Sequence, residues 1–177
     1  MKFFKNRAVA LILCVLIVVG ATLVNTHVKF GALCRELTDA FYDEGGIAPD
    51  LELLHTETMT LASIAEANGV DASALRSATD DLQGMLSQRS IGAAQLYPYY
   101  DALNRELKTV SQQLVTKGCP VDAERFTACL TAISAAQERI RVSGYNAQVR
   151  DFLQENDRFP TNILAKLAGL ALPEEFA

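Results

Sequence analysis

The sequence has little of what most catalytic and metal sites are built from. Its 177 residues include no tryptophan, two histidines and four cysteines. It contains no His-Glu-x-x-His, phosphate-loop or Gly-x-Ser-x-Gly pattern, which excludes the common signatures of zinc proteases, nucleotide-binding proteins and serine hydrolases. The 16 basic residues are scattered and are outnumbered by 21 acidic ones, which disfavours a nucleic-acid surface. We therefore expect no enzymatic activity, no cofactor and no nucleic-acid partner.

One long hydrophobic run stands near the amino terminus. From Ala8 to Val24 no residue is charged, and 15 of these 17 side chains are apolar. A helix of this length rises about 25 Å, at the short end of what a bilayer core requires. Basic residues without acidic ones precede the run. The positive-inside rule then predicts a single-pass anchor at residues 8–24 in the lipid bilayer, a cytoplasmic tail at 1–7 and an extracytoplasmic domain at 25–177.

A cleaved signal peptide is the alternative interpretation of the same run. Val19-Gly20-Ala21 places small residues at positions suited to cleavage, which would release a secreted helical protein. The run continues through Leu23 and Val24 and is longer than the usual core of a signal peptide. This extra length favours the uncleaved anchor.

Helical periodicity extends over nearly all of the remaining chain, and no long segment alternates with period two. Apolar residues, joined by one threonine, recur at three- and four-residue spacing in five stretches: Phe30, Leu33, Leu37, Ala40 and Phe41; Leu51, Leu54, Thr58, Leu61 and Ala65; Leu75, Ala78, Leu82 and Leu86; Tyr99, Leu103, Leu107, Val110 and Leu114; and Phe126, Leu130, Ile133 and Ile140. The predicted class is all-α. The transmembrane helix continues as one rod of about 35 residues into an antiparallel helical bundle.

Turn-forming residues predict where these helices begin and end. The predicted boundaries are Gly45-Gly46 and Pro49 between the first two helices, Asn68-Gly69 and Asp71 between the second and third, Pro98 before the fourth, and Lys117-Gly118 after it. A fifth helix is predicted to run from Val121 to about Phe159. Its apolar stripe rotates by about 120° near Gly144, so that it can face different neighbours along its length.

The acidic residues are concentrated in one stretch. Residues 35–81 contain 11 acidic side chains against Arg35 and Arg76 alone. This stretch fits a solvated helix face, and it also fits a surface for a cationic partner or metal ions. His55 lies close in sequence to Glu52 and Glu57 within it. These residues define an alternative function, that of a metal-binding or metal-dependent factor.

Three cysteines lie outside the predicted span. Cys119 and Cys129 are separated by ten residues and are candidates for a disulfide bond if the domain is extracytoplasmic. Cys34 stands beside Leu33 on the first apolar stripe, where we expect it to be a small buried side chain.

The last third of the chain carries a more specific pattern. Two helix faces are marked, an apolar one by Tyr145, Val149 and Phe152 and a neighbouring polar one by Asn146 and Arg150. Phe159-Pro160 then ends the helix, because the residue before a proline is driven out of the α region.

These residues, together with Ala165, Gly169 and the Leu96-Tyr97-Pro98 element, resemble the LemA family of bacterial membrane proteins. The similarity is strongest over residues 145–170, whereas Gly46–Leu51 keeps the family's proline without its arginine pair. The resemblance implies a LemA-like helical domain anchored in the bacterial inner membrane and supplies no reaction. We therefore expect a binding or scaffolding protein with protein partners in the cell envelope, recognised by the Asn146/Arg150 face or by the acidic stretch.

Overall fold

The computed structural model describes residues 7–89, 91–118, 122–156 and 172–177. Every regular element within these ranges is an α-helix, as the periodicity predicts. The helices are α1 (Arg7–Tyr42), α2 (Ile47–Ala67), α3 (Ser73–Leu86), α4 (Ala93–Thr116), α5 (Ala123–Val142) and α6 (Tyr145–Asn156).

Helix α1 is a single helix of 36 residues, close to the predicted length. Its second half joins the core through Phe30 and Phe41, which are both buried. Leu33 was expected on the same stripe but is 45% exposed, whereas Leu37, also predicted there, is half-buried, and Cys34 takes the place of Leu33 on the packed side. Three- and four-residue spacing admits either set, and the contact of α1 with α6 selects between them.

Helix α2 lies in the middle of the core. It contacts α1, α3, α4 and α5, and its contact with α5 is the most extensive of these. The stripe predicted for it is fully buried at Leu51, Leu54, Thr58, Leu61 and Ala65. Helix α3 in turn packs against α4.

The turn between α1 and α2 needs both of its glycines, for different reasons. Gly45 has φ +93°, a conformation that L side chains rarely adopt. A Cβ at Gly46 would collide with the backbone carbonyl groups of Ala40 and Phe41. The predicted end of the first helix is therefore confirmed, and Pro49 falls in the first turn of α2, where a missing N–H is tolerated.

Two helix starts differ from the prediction. Helix α4 begins at Ala93 rather than after Pro98, which lies inside the helix. Ala93 and Leu96 are buried and extend the apolar stripe backwards across the proline. Asp71 accepts a hydrogen bond from the Ser73 backbone N–H at 2.9 Å, but it stands one residue before the N-cap of α3.

The prediction of one long fifth helix is wrong. The backbone is extended at Ser143, with ψ 139°, and the helix is divided there into α5 and α6. Helix α5 packs on α2, whereas α6 packs on α1. The break lets each of the two rotated stripes face its own neighbour. The predicted ends of the long helix, Val121 and Phe159, lie outside the described residues.

Candidate functional site

The residues proposed for a metal site lie on α2. His55 and Glu57 are partly buried there and Glu52 is exposed. Within the described ranges, no group of three histidine, cysteine or acidic side chains is placed to hold a metal ion. The metal-binding alternative stays a prediction without a ligand set in this part of the chain.

Cys129 is a buried thiol at the contact between α5 and α2. Its Sγ donates a hydrogen bond to the Glu57 carbonyl oxygen at 3.0 Å. Burial, reinforced by the nearby Glu57, raises the pKa of Cys129 to about 12, so the thiol stays protonated at neutral pH. Cys119 lies outside the described residues, and the Cys119–Cys129 disulfide therefore stays a prediction.

Part of the acidic stretch is neutralised within the fold. Asp50 forms a salt bridge with Arg139 of α5 at 2.6 Å, and Glu66 forms one with Arg76 of α3 at 2.7 Å. The hydrogen bond from Arg76 lowers the pKa of the Glu66 carboxyl. Two of the acidic groups thus connect helices and are not free for a cationic partner.

The apolar face of α6 holds this helix against α1. Tyr145, Val149 and Phe152 are all buried, as their spacing predicts. The ring of Phe152 lies 5.1 Å from that of Phe30, and the ring of Tyr145 lies 5.2 Å from that of Phe41. Phe159 and Pro160, the other members of the motif, lie outside the described residues.

The polar face of α6 contacts a segment of the same chain, residues 172–177, which has neither helix nor strand structure. The Asn146 side chain binds the backbone of Phe176 twice. Its Nδ2 donates to the Phe176 carbonyl oxygen at 2.9 Å, and its Oδ1 accepts from the Phe176 N–H at 2.7 Å. The Tyr145 hydroxyl donates to the Glu174 carbonyl oxygen at 3.1 Å, and Arg150 pairs with the Glu175 carboxylate at 2.9 Å.

Phe176 fills a depression that we call the aromatic groove, lined by Phe41, Tyr97, Tyr100, Tyr145 and Asn146. The Phe176 side chain is buried, and its ring centroid lies 5.3 Å from the rings of Tyr97 and Tyr100 and 5.8 Å from the ring of Phe41. Each such aromatic pair contributes about 0.5–1.5 kcal/mol beyond the burial of area. Burial, with a smaller contribution from the negative charge of Glu174, raises the pKa of Tyr145 to about 12.

Both acidic residues of the segment face positive groups. Glu175 pairs with Arg150, as described above. A Cβ at Gly92 would lie 3.2 Å from Glu174 Oε2, so this carboxylate stands at the N-terminus of α4, whose N-cap is Gly92. The N-terminal end of a helix carries a partial positive charge and favours an anion there.

Two cavities lie beside the segment in the aromatic groove. Next to Leu172 and Glu174 lies a cavity of about 270 Å³, bounded by Cys34 and Thr38 of α1. Next to Phe176 and Ala177 lies a second cavity of about 550 Å³, whose lining includes Asn104, Gln137 and Arg141. Among the described residues, the segment therefore leaves part of the groove open.

The sequence motif includes one side of this site and misses the other. Asn146 and Arg150 are on the predicted polar face, but Glu174, Glu175 and Phe176 carry no motif of their own. The one signal is a single aromatic residue after two acidic ones, 30 residues from its partner Asn146. No family model, curated protein or solved structure matches the chain.

Proposed function

We propose that this protein is a membrane-anchored binding or scaffolding protein of the bacterial envelope, and a divergent relative of the LemA family. In this proposal residues 8–24 span the inner membrane with residues 1–7 in the cytoplasm. Residues 25–177 form an antiparallel helical bundle on the extracytoplasmic side. The protein acts by binding other envelope proteins and catalyses no reaction.

The observation that supports this proposal most directly is the exposure of the first half of α1. Its most apolar 18-residue window has no residue buried within the protein, and α1 is long and apolar enough to cross a membrane. Between residues 10 and 24, nine large hydrophobic side chains are 41–66% exposed. Soluble proteins rarely expose so continuous an apolar surface, whereas a bilayer core would cover it.

The continuity of α1 links this surface to the helical core. Phe30 is the first buried residue of α1 from Ala10 onwards, and it follows Val24 by six positions. At 1.5 Å per residue this distance is about 9 Å along the helix axis. A membrane span at residues 8–24 would therefore hold the bundle close to the lipid headgroups.

A binding role is supported by the aromatic groove. Three helices contribute to a surface that holds a non-helical segment by backbone hydrogen bonds, one buried aromatic ring and two charge contacts. These are the means by which proteins commonly recognise peptides. The groove thus gives the proposed scaffold a surface suited to protein partners.

Carbonate extraction of membranes from cells expressing the full chain tests the anchor. We expect the wild-type chain to stay in the membrane pellet. The double variant Leu16→Asp/Ile17→Asp should be released, because each acidic residue at the centre of a span costs about 2.5–3.5 kcal/mol. The matched control Val115→Asp/Val142→Asp adds the same charge at two exposed apolar positions of α4 and α5 and should stay in the pellet.

Intact mass spectrometry separates the anchor from the secreted alternative. A chain that lacks residues 1–21 would show cleavage after Ala21 and would overturn the anchor. Protease added to spheroplasts tests the orientation, since only an extracytoplasmic domain is degraded from outside.

A further inference from the structure

We infer that the aromatic groove is a recognition site for a peptide from a partner protein, in which two acidic residues precede an aromatic one, and that residues 172–177 occupy it as an internal ligand. This inference deepens the proposed binding function and names the chemistry of its partner. Peptide binding in the groove does not depend on the membrane anchor.

The way in which the segment is held favours recognition of a peptide over ordinary core packing. Of its six residues, Phe176 alone is fully buried. The Asn146 side chain bonds to the N–H and C=O of Phe176, and the Tyr145 hydroxyl bonds to the carbonyl oxygen of the residue two positions earlier. These backbone contacts would be made by any peptide that places an aromatic ring in the groove.

The charges around the groove define which peptide fits. Arg150 faces the residue immediately before the aromatic one, and the N-terminus of α4 faces the residue before that. An acidic residue is favoured at both positions, and a lysine or arginine at either would meet a positive group. The expected ligand therefore contains the order acid, acid, aromatic.

The two cavities beside the segment 172–177 offer contacts that this segment does not make. A partner peptide that continues past the aromatic residue would enter the 550 Å³ cavity near Asn104 and Gln137. Larger side chains before its acidic residues would enter the 270 Å³ cavity beside Cys34 and Thr38. Such a peptide gains contacts that the internal segment does not make, which allows it to displace that segment.

Fluorescence anisotropy in detergent with the purified full chain tests this inference. The probe is a labelled peptide Leu-Pro-Glu-Glu-Phe-Ala, and the control peptide has alanine in place of its phenylalanine. A tethered segment competes at a high effective concentration, so the wild-type chain should bind the probe weakly. In the variant Phe176→Ala the segment loses its buried ring and competes less strongly, and we expect binding of the probe to be at least about tenfold tighter.

A second substitution identifies the groove as the place of binding. Adding Asn146→Ala to Phe176→Ala should weaken probe binding by about tenfold, because two backbone hydrogen bonds are lost. Asn156→Ala is the matched control, since the Asn156 side chain donates a hydrogen bond to the Phe152 carbonyl oxygen within its own helix. The inference is overturned if folded Phe176→Ala binds the probe no tighter than wild type, or if Asn146→Ala has no effect.

Photo-crosslinking to the wild-type chain provides a second test, which does not require Phe176→Ala to fold. The same peptide, with benzoylphenylalanine in place of phenylalanine, is added in excess to the wild-type chain. Cross-links to residues 97–100 and 145–146 are expected, and their absence would count against the site. A wild-type dimer that dissociates on addition of the peptide would show that the occupant is the segment of a second copy, and would overturn a partner peptide.

The two proposals can fail separately. Release of the wild-type chain by carbonate, with probe binding intact, would refute the anchor alone. Retention in the membrane without probe binding to any variant would refute the groove alone.

Discussion

Both halves of α1 carry large apolar side chains, but these have very different surroundings. In residues 10–24 nine large hydrophobic side chains are exposed, whereas in the second half Phe30 and Phe41 are buried against α6 and the segment 172–177. Helical structure is continuous across both halves. The comparison teaches that the role of each half is set by what covers it, protein in one case and, in our proposal, lipid in the other.

The largest expected effect comes from truncating one apolar side chain in each half. Phe41→Ala should lower the free energy of unfolding by about 3–5 kcal/mol, because its ring is buried and contacts Tyr42, Tyr145 and Phe176. Leu16→Ala should change it by less than about 0.5 kcal/mol, because Leu16 is 63% exposed. Chemical denaturation in detergent measures both. An equal loss for the two variants would show that the first half is part of the core.

Two glycines of the same region provide the next contrast. Gly46→Ala should destabilise the protein by about 1–3 kcal/mol, since its Cβ meets the backbone carbonyl groups at the end of α1. No atom lies within 4 Å of a Cβ placed at Gly20, so Gly20→Ala should be neutral or slightly stabilising. Thermal unfolding of the two variants measures this difference in stability. A loss at Gly20 would reveal a partner that covers the first half.

Alkaline pH tests whether Tyr145, which packs on the second half of α1, is buried. Burial holds the pKa of Tyr145 at about 12, whereas an unfolded tyrosine titrates near about 10. Between these values the folded chain keeps a proton that the unfolded chain loses. Tyr145 should therefore lower the free energy of unfolding as pH rises from about 10 to 12, by at most about 1.4 kcal/mol per pH unit.

Tyr145→Phe should remove this part of the fall and leave the contributions of Cys129, Tyr42 and Tyr100, whose pKa values burial also raises. The measurement is the difference between the two chains in urea denaturation across that pH window. Identical slopes would show that Tyr145 is exposed to solvent, and the groove would then be open on the side of α6.

The smallest effect is expected at the exposed ion pair between Arg150 and Glu175. Their side chains are 55% and 32% exposed, so Arg150→Gln should cost less than about 1 kcal/mol of stability. In the Phe176→Ala background the same substitution should weaken binding of the acidic probe peptide. A large loss of stability without a loss of binding would make this pair part of the core rather than of a recognition surface.

Sequence periodicity is sufficient for the helices that bury one continuous apolar stripe. The leucines of α2 and α3 at three- and four-residue spacing mark buried positions directly, and paired glycines mark the turn after α1. The division of α5 from α6 is different, because it depends on which helix each half contacts. Gly144 marks the place where the stripes change, but a rotation of the stripe is equally compatible with one continuous helix.

The candidate site is predictable only in part for a similar reason. Asn146 and Arg150 stand out as polar residues one turn apart on α6. Their ligand is 25–30 residues further along the chain, and the other walls of the groove come from α1 and α4. Local spacing contains no information on such long-range pairing, so Phe176 has no signal beyond its two acidic neighbours.

The unbroken passage of α1 from residue 24 to residue 30 also determines how the domain faces its surroundings. With no turn between the two halves, each residue inserted there would rotate everything that follows by about 100° about the helix axis and raise it by about 1.5 Å. The aromatic groove would then point along another direction over the membrane plane. The number of residues in this short connection thus determines both the direction in which the groove faces and its height above the membrane.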